Sequence, residues 1–265
     1  MSFIRLENIS LIRNGNPILK DISWSAEKNE NWIILGPNGS GKSSLVSIMT
    51  ALEWPTSGYA EIAGEILGNT IVQNLRKKIG LFEPSILDHS FSFHPNITVI
   101  EAISTGTDAS MGVYRDYTAE FDRVRNLMHN SFQSSGFHID ENRLYSTLSS
   151  GEKRKILFLR ILMSEPELMI FDEPFESLDI PSRAMLESIF LKFMDLYRIP
   201  NITILHRIEE IPSHATHALL LKNGRIYASG KIEEMIHSKN LSGLYETDLQ
   251  IEKRSKRYIC YLKET

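Results

Sequence analysis

Residues Gly36 to Ser43 read G-P-N-G-S-G-K-S and match the pattern G-x-x-x-x-G-K-[ST]. Glycines at 36, 39 and 41 let the backbone turn with no Cβ in the way, so consecutive N–H groups can converge on one anion. Lys42 adds a point charge suited to β- and γ-phosphates, and the Ser43 hydroxyl can ligate Mg²⁺. Gly36, Pro37, Asn38, Gly39, Ser40, Gly41, Lys42, Ser43 and Ser44 are therefore the candidate nucleotide-binding residues. A second chemical position is Ile170-Phe171-Asp172-Glu173-Pro174, a strand ending in two acids. Acids at the carboxyl end of a parallel strand lie at the rim where α/β proteins bind ligands. Asp172 can hold Mg²⁺ through its water shell, and Glu173 can polarise an attacking water. Standing alone, such a pair would read as a solvated strand cap; the phosphate loop shifts the balance toward chemistry. A third is Leu148-Ser149-Ser150-Gly151-Glu152, which precedes an apolar helix. Ser149 or Ser150 can cap that helix with Glu152 in its first turn, and a capped helix start can face a phosphate.

These positions need a scaffold. Asn31 to Leu35 reads as a buried strand and Ser44 to Leu52 as a helix whose start faces the phosphates. Upstream, residues 3–30 alternate apolar and polar on either side of Asn14-Gly15-Asn16-Pro17, which predicts a strand pair on a small antiparallel sheet. A strand is expected over Gly58 to Gly64, irregular structure over 84–100, and helical periodicity from about Ile97 to Met163, with Phe121, Val124, Leu127 and Met128 on one face. Strands at Leu168 to Phe171, Asn201 to Leu205 and Ala218 to Leu221 alternate with a helix over Ser182 to Leu196. Such alternation implies an α/β core with parallel strands, into which the helical block is inserted. Lys231 to Ser238 reads as a helix followed by short strands whose role is not legible.

The bulk properties exclude several classes. With 265 residues, 42% hydrophobic, the chain suits one large domain or a core plus a subdomain. A net charge of -4 gives no basic excess of the kind sequence-blind nucleic-acid binding needs, and no specific nucleic acid is expected as a partner. One cysteine, Cys260, allows no internal disulfide and suits a reducing compartment. No apolar run approaches the ~18 residues needed to span a bilayer, so the expectation is a cytoplasmic protein that reaches a membrane only through a partner. His214 and His217 lack an acid or cysteine to complete a metal site and read as loop residues.

The order of these segments, with Ser177-Leu178-Asp179 and His206 after them, resembles an ATP-binding cassette (ABC) ATPase over residues 3 to about 230. The resemblance implies a P-loop NTPase core with a small antiparallel β subdomain (1–83 and 165–230), an inserted helical subdomain (84–164) and a C-terminal extension (231–265). It implies that L-S-S-G-E stands for the signature L-S-G-G-Q, with Ser149 and Gly151 touching a γ-phosphate. It implies Glu173 as general base, His206 as the switch histidine, and Asp179 of the D-loop bridging to an opposite subunit. ATP and Mg²⁺ are the implied ligands, bound in a head-to-tail homodimer. Two positions depart from the pattern. Ile12-Arg13 stands where the family has an aromatic residue that stacks on adenine; the Arg13 guanidinium can stack on a π-face. Glu83-Pro84 stands where it has a glutamine that reaches Mg²⁺, and Glu83 can reach the metal instead. The leading expectation is the ATP-hydrolysing subunit of a transporter whose membrane-spanning permease is a separate polypeptide. The competing one is a soluble ABC ATPase of the cluster-assembly or DNA- or ribosome-associated kind.

Overall fold

The computed structural model describes residues 2–109, 115–132, 138–176, 178–255 and 257–263. They form two compact units. The first comprises Met1–Leu75, Ile170–Glu173 and Pro200–Thr265; the second comprises Arg76–Met169 and Pro174–Ile199.

The first unit begins with a hairpin of Ile4–Arg13 against Asn16–Ala26. Asn14 and Gly15 join the strands with φ of 52° and 78°, the double positive φ that a two-residue hairpin turn needs and that Asn-Gly tolerates best. Ile4–Arg13 also pairs antiparallel with Ser57–Ile62, which pairs with Glu65–Ile66, completing a four-stranded sheet. Ile4, Leu6, Ile9 and Leu11 are buried; strict alternation would put the two pairs on opposite faces, and the register shift between Leu6 and Ile9, where Asn8 has φ 51°, keeps both in the core.

The parallel strands are built differently. Trp32–Leu35 has every residue buried and lies between Asn201–Ile204 and His217–Lys222, parallel to both. A strand covered on both faces needs a continuous apolar run, and Trp-Ile-Ile-Leu is one. Arg225–Lys231 closes this edge antiparallel to His217–Lys222. The carboxyl end of Leu168–Asp172 lies beside Asn201–Ile204, and the Glu173 amide donates to the Ile204 carbonyl at 3.2 Å.

The segment after Lys231 is tied into this core. It folds as short helices Ile232–Met235 and Ser238–Tyr245, then a hairpin of Leu249–Arg254 and Arg257–Leu262. Ile236, Leu241, Leu244 and Tyr258 share one apolar cluster with Ile33, Leu35, Leu205 and Leu220. Each fully buried Leu or Ile of such a cluster contributes about 1.5–3 kcal/mol. The helix expected over Lys231 to Ser238 thus stops at Met235, and the His237 side chain, accepting the Asn240 amide, caps a second helix where short strands were expected.

The second unit is mainly helical. Val99–Ser104 starts at Thr98, whose hydroxyl and the Glu101 carboxylate form a reciprocal capping box. Phe121–Phe132 turns Val124 into the interior. Ser150–Leu162 buries Ile156, Leu157, Phe158, Leu159 and Ile161, and Phe158 meets Phe190 of Ile180–Tyr197 at 6.3 Å between ring centroids. One expectation is corrected here. Residues 84–100 are not irregular throughout: Pro84–Ser92 is a helix. Its run of Ser, His and Phe is a poor helix former, but Pro84 is its first residue, where a fixed φ and a missing N–H cost nothing. Phe91 is buried and packs edge-on against Tyr145 at 4.9 Å.

Candidate functional site

The phosphate loop joins the carboxyl end of Trp32–Leu35 to the helix Lys42–Met49. Two glycines are required by geometry. A Cβ on Gly36 would stand 2.1 Å from the Leu221 carbonyl oxygen and 2.7 Å from Ser40 Oγ. Gly41, the N-cap, has φ 105°, and a Cβ there would meet Leu19 at 2.7 Å. The loop is further held by the Ser40 amide donating to Pro37 O at 3.1 Å and the Gly224 amide donating to Ser40 O at 3.0 Å. No side chain caps the helix and no acid occupies its first turn, so its amides and the positive end of its dipole are left for an anion. Lys42 is buried, and its Nζ donates to Gly36 O at 2.8 Å and Pro37 O at 3.1 Å. Burial pushes its pKa down from the ordinary lysine value, against the opposing pull of Glu173 and Asp172.

The two acids and the histidine converge on the same rim. Glu173 has φ 50°, in the left-handed region that non-glycine residues rarely occupy; the hydrogen bond from its amide to the Ile204 carbonyl helps hold it there. Its Oε1 is in hydrogen-bond contact with His206 Nε2, although 33 residues separate them in sequence. His206 follows directly on Leu205, whose amide donates to Ile34 O at 3.1 Å, so the phosphate-loop strand itself sets its position. The hydroxyl of Ser43 is exposed at the helix start and Asp172 ends its strand. Among the described residues no group of three or more His, Cys, Asp or Glu forms a metal cage. One hydroxyl and one carboxylate are hard oxygen donors that suit Mg²⁺, which keeps waters and takes its remaining ligands from phosphates.

In the second unit, Ser149 is the N-cap of Ser150–Leu162. Its Oγ accepts the Glu152 amide at 3.3 Å, and Glu152 Oε2 accepts the Ser149 amide at 2.8 Å. The choice between Ser149 and Ser150 is thus decided by the capping box Ser149-x-x-Glu152. Gly151 lies in the first turn, and a Cβ there would meet only Ser182, at 3.3 Å from its Oγ. Asp179 caps Ile180–Tyr197 by accepting the Ser182 amide at 2.8 Å, and hydrogen bonding from the Ser182 side chain first and its amide second holds the carboxyl below the usual aspartate value. Ser177, expected in the same loop, lies outside the described residues. Glu83 precedes Pro84–Ser92 and accepts the Ser85 hydroxyl at 3.1 Å. In the first unit, Arg13 is clamped by Glu53: Nε donates to Oε1 at 3.0 Å and Nη2 to Oε2. His217 is not a loop residue as the sequence suggested: it opens the strand His217–Lys222, stacks on Trp32 at 4.8 Å and has Glu30 Oε1 3.4 Å from its Nε2, while His214 Nε2 lies 3.4 Å from Asn201 Oδ1.

The profile of the ABC transporter family matches residues 19–176. The chain belongs to this family. It is 37% identical over 260 residues to an uncharacterized ABC transporter ATP-binding protein, YmeB, of Lactococcus lactis, covering 97% of this chain and 98% of that one. It is 36% identical to another, YlmA of Bacillus subtilis, covering 94% and 92%. Its fold is similar to that of a dimeric bacterial ABC transporter cassette, with a TM-score of 0.70 at 20% identity, covering 86% of this chain and 98% of that one.

Within this ABC cassette, the sequence motifs identify the loop, the two acids and the histidine, and the fold brings these four together in one unit. Two further residues have no motif to mark them. Glu53, just after the phosphate-loop helix, fixes the guanidinium of Arg13. Arg143 donates from Nη1 to Glu152 Oε1 at 2.7 Å. A glutamate standing where the family pattern has glutamine was the available sign that a cation should be sought nearby.

Proposed function

We propose that this chain is the ATP-hydrolysing subunit of a membrane transporter, driven by ATP-dependent pairing of two copies. The observation that carries the reading is the contact between Glu173 and His206 on the rim that also holds Lys42 and Asp172. The loop amides and Lys42 bind and orient the triphosphate. Glu173 accepts the proton of the water that attacks the γ-phosphorus as the bond to the ADP oxygen breaks. His206, bonded to that carboxylate, fixes its direction, and on exchanging that bond its Nε2–H can donate to a γ-phosphate oxygen. Ser43 and Asp172 would hold Mg²⁺, which would supply neutralisation of the phosphate charge. Glu83 is the candidate for a further oxygen ligand and Arg13 for the adenine platform. Ser149 and Gly151 of one copy, with Asp179 beside them, would close over the nucleotide of the other.

Among the described residues no helix is long and apolar enough to cross a membrane. The proposed site of action, on separate permease subunits at the inner face of the cell membrane, rests on the likeness to ABC transporter ATP-binding proteins. The relatives at 36–37% identity are ABC transporter ATP-binding proteins, which favours the transporter over the soluble alternative. Replacing Glu173 by Gln should lower phosphate release by about 10²- to 10⁴-fold and trap the nucleotide-bound dimer. A parental rate in this variant overturns the assignment. Co-purification of the chain with a multi-span protein from detergent tests the partner.

A further inference from the structure

Glu152 places a negative charge one turn inside the helix start that, on the reading above, receives a triphosphate. A carboxylate there favours the helix dipole but opposes the anion. The structure shows how this conflict is met. Glu152 Oε1 accepts from Arg143 Nη1 at 2.7 Å while Oε2 accepts the Ser149 amide at 2.8 Å. The rest of the Arg143 fork is fixed as well: Nε donates to Thr147 Oγ1 at 3.1 Å and Nη2 to the Thr147 carbonyl at 2.7 Å. The Arg143 backbone is anchored, its carbonyl accepting the Val99 amide at 2.9 Å and its own amide donating to Asp140 O at 3.1 Å. One planar guanidinium therefore holds the Glu152 carboxylate and the loop that leads into Ser149, a bridging task that the pointlike ammonium of a lysine does poorly.

We propose that Arg143 is a positioning residue for nucleotide binding: it cancels the charge of Glu152 and fixes the turn that presents Ser149 and Gly151 to a triphosphate. The proposal rests on the function proposed above. Without Arg143, a full negative charge faces the arriving phosphates, which at short range weakens binding by about tenfold and is screened by salt. Where a neutral side chain replaces Glu152, Arg143 is no longer needed for charge balance.

The test is steady-state hydrolysis of MgATP by the full chain at low and high salt, for the parent, Arg143→Met, Glu152→Gln and the double variant, with thermal denaturation alongside. Arg143→Met should raise KM about tenfold at low salt, less at high salt, with kcat changed by no more than about twofold. Glu152→Gln should stay near the parent, and the double variant should regain most of the lost KM. An unchanged KM in Arg143→Met overturns the proposal, as does a double variant as impaired as the single one. A role in folding alone would lower thermal stability and kcat with no rescue by Glu152→Gln. Should Arg143→Met not fold, Arg143→Gln carries the test, since it loses the charge and keeps an amide donor: a KM raised about tenfold at low salt and less at high salt supports the proposal, and an unchanged KM overturns it. Every comparison keeps Glu173 intact, so this outcome is separable from that of the Glu173→Gln assay.

Discussion

The phosphate-loop helix starts at a glycine with φ 105° and no side-chain cap, whereas the signature helix starts at a serine in extended backbone inside a reciprocal capping box. Both are candidate phosphate-facing helix ends, and the contrast shows two ways of making one. In the loop, the backbone makes the shape and side chains are excluded: the Leu221 carbonyl fills the place where a Gly36 Cβ would go. At the signature, side chains make the shape. Ser149, Glu152 and Arg143 hold the turn through hydrogen bonds, and a Cβ on Gly151 would press only on the Ser182 side chain, at 3.3 Å, rather than on a backbone oxygen at 2.1 Å. Steric exclusion fails abruptly when violated. A hydrogen-bonded cap can lose one member and weaken by degrees.

After the loss of turnover expected for Glu173→Gln, the largest effect should come from adding a single methyl group to the loop. Gly36→Ala places a carbon 2.1 Å from a backbone oxygen of the central sheet, which neither partner can yield cheaply. The expected destabilisation is about 1–3 kcal/mol, with nucleotide binding abolished because the amides no longer converge. Thermal denaturation and titration with a fluorescent nucleotide check both parts. A variant that binds nucleotide like the parent would remove steric exclusion as the basis of the cradle.

At the other helix, Ser149→Ala removes the hydroxyl cap and leaves the Glu152 half of the box in place. The cost should be about 0.5–2 kcal/mol, seen as a small fall in thermal midpoint. The folded chain should still bind nucleotide at its own loop, while association of two copies with MgATP weakens, measurable by sedimentation or light scattering. Equal losses of loop binding in Gly36→Ala and Ser149→Ala would erase the contrast between the two ends.

The same contrast explains what could be read in the sequence. Steric cradles leave a signature in residue type, because only glycine fits; hence G-P-N-G-S-G-K-S identifies the loop, and Asn14-Gly15 identifies the hairpin turn. Side-chain networks do not. The capping box Ser149-x-x-Glu152 is a local pattern and was within reach, but Arg143 lies nine residues away on a strap whose path is set by hydrogen bonds to Ile97 and Val99. Glu53 is equally hidden, since it meets Arg13 only after the hairpin folds beside the phosphate-loop helix. The helix Pro84–Ser92 was obscured because its composition suggests a loop while its stabilisation comes from a proline start and the burial of Phe91 against Tyr145. Beyond Lys231, short elements carry too few residues to show a period, and their order comes from sharing the core of the parallel strands.

The smallest effect expected is in the response to acid, and it falls on one side of the comparison only. Burial raises the Glu152 pKa, but hydrogen bonds from the Ser149 backbone and side chain and from Arg143 outweigh it, so the folded value lies below the ordinary glutamate value. A depressed carboxylate adds stability that is complete above the unfolded value and is lost as pH falls through the folded one. The signature cap should therefore be insensitive to pH near neutrality and weaken only below about pH 4.5. Lys42 runs the other way: burial lowers its pKa, so the unfolded chain holds that proton more tightly and the folded state gains stability as pH rises from the lowered value to the ordinary lysine value. Urea denaturation of the parent and of Glu152→Gln between pH 6 and pH 3 distinguishes the two ends. The variant should lose less stability than the parent over that range, though Asp179 and other depressed carboxylates keep part of the slope. Superimposable acid limbs would mean that the hydrogen bonds to Glu152 do not hold the helix start, and the signature would then rest on packing as the loop does.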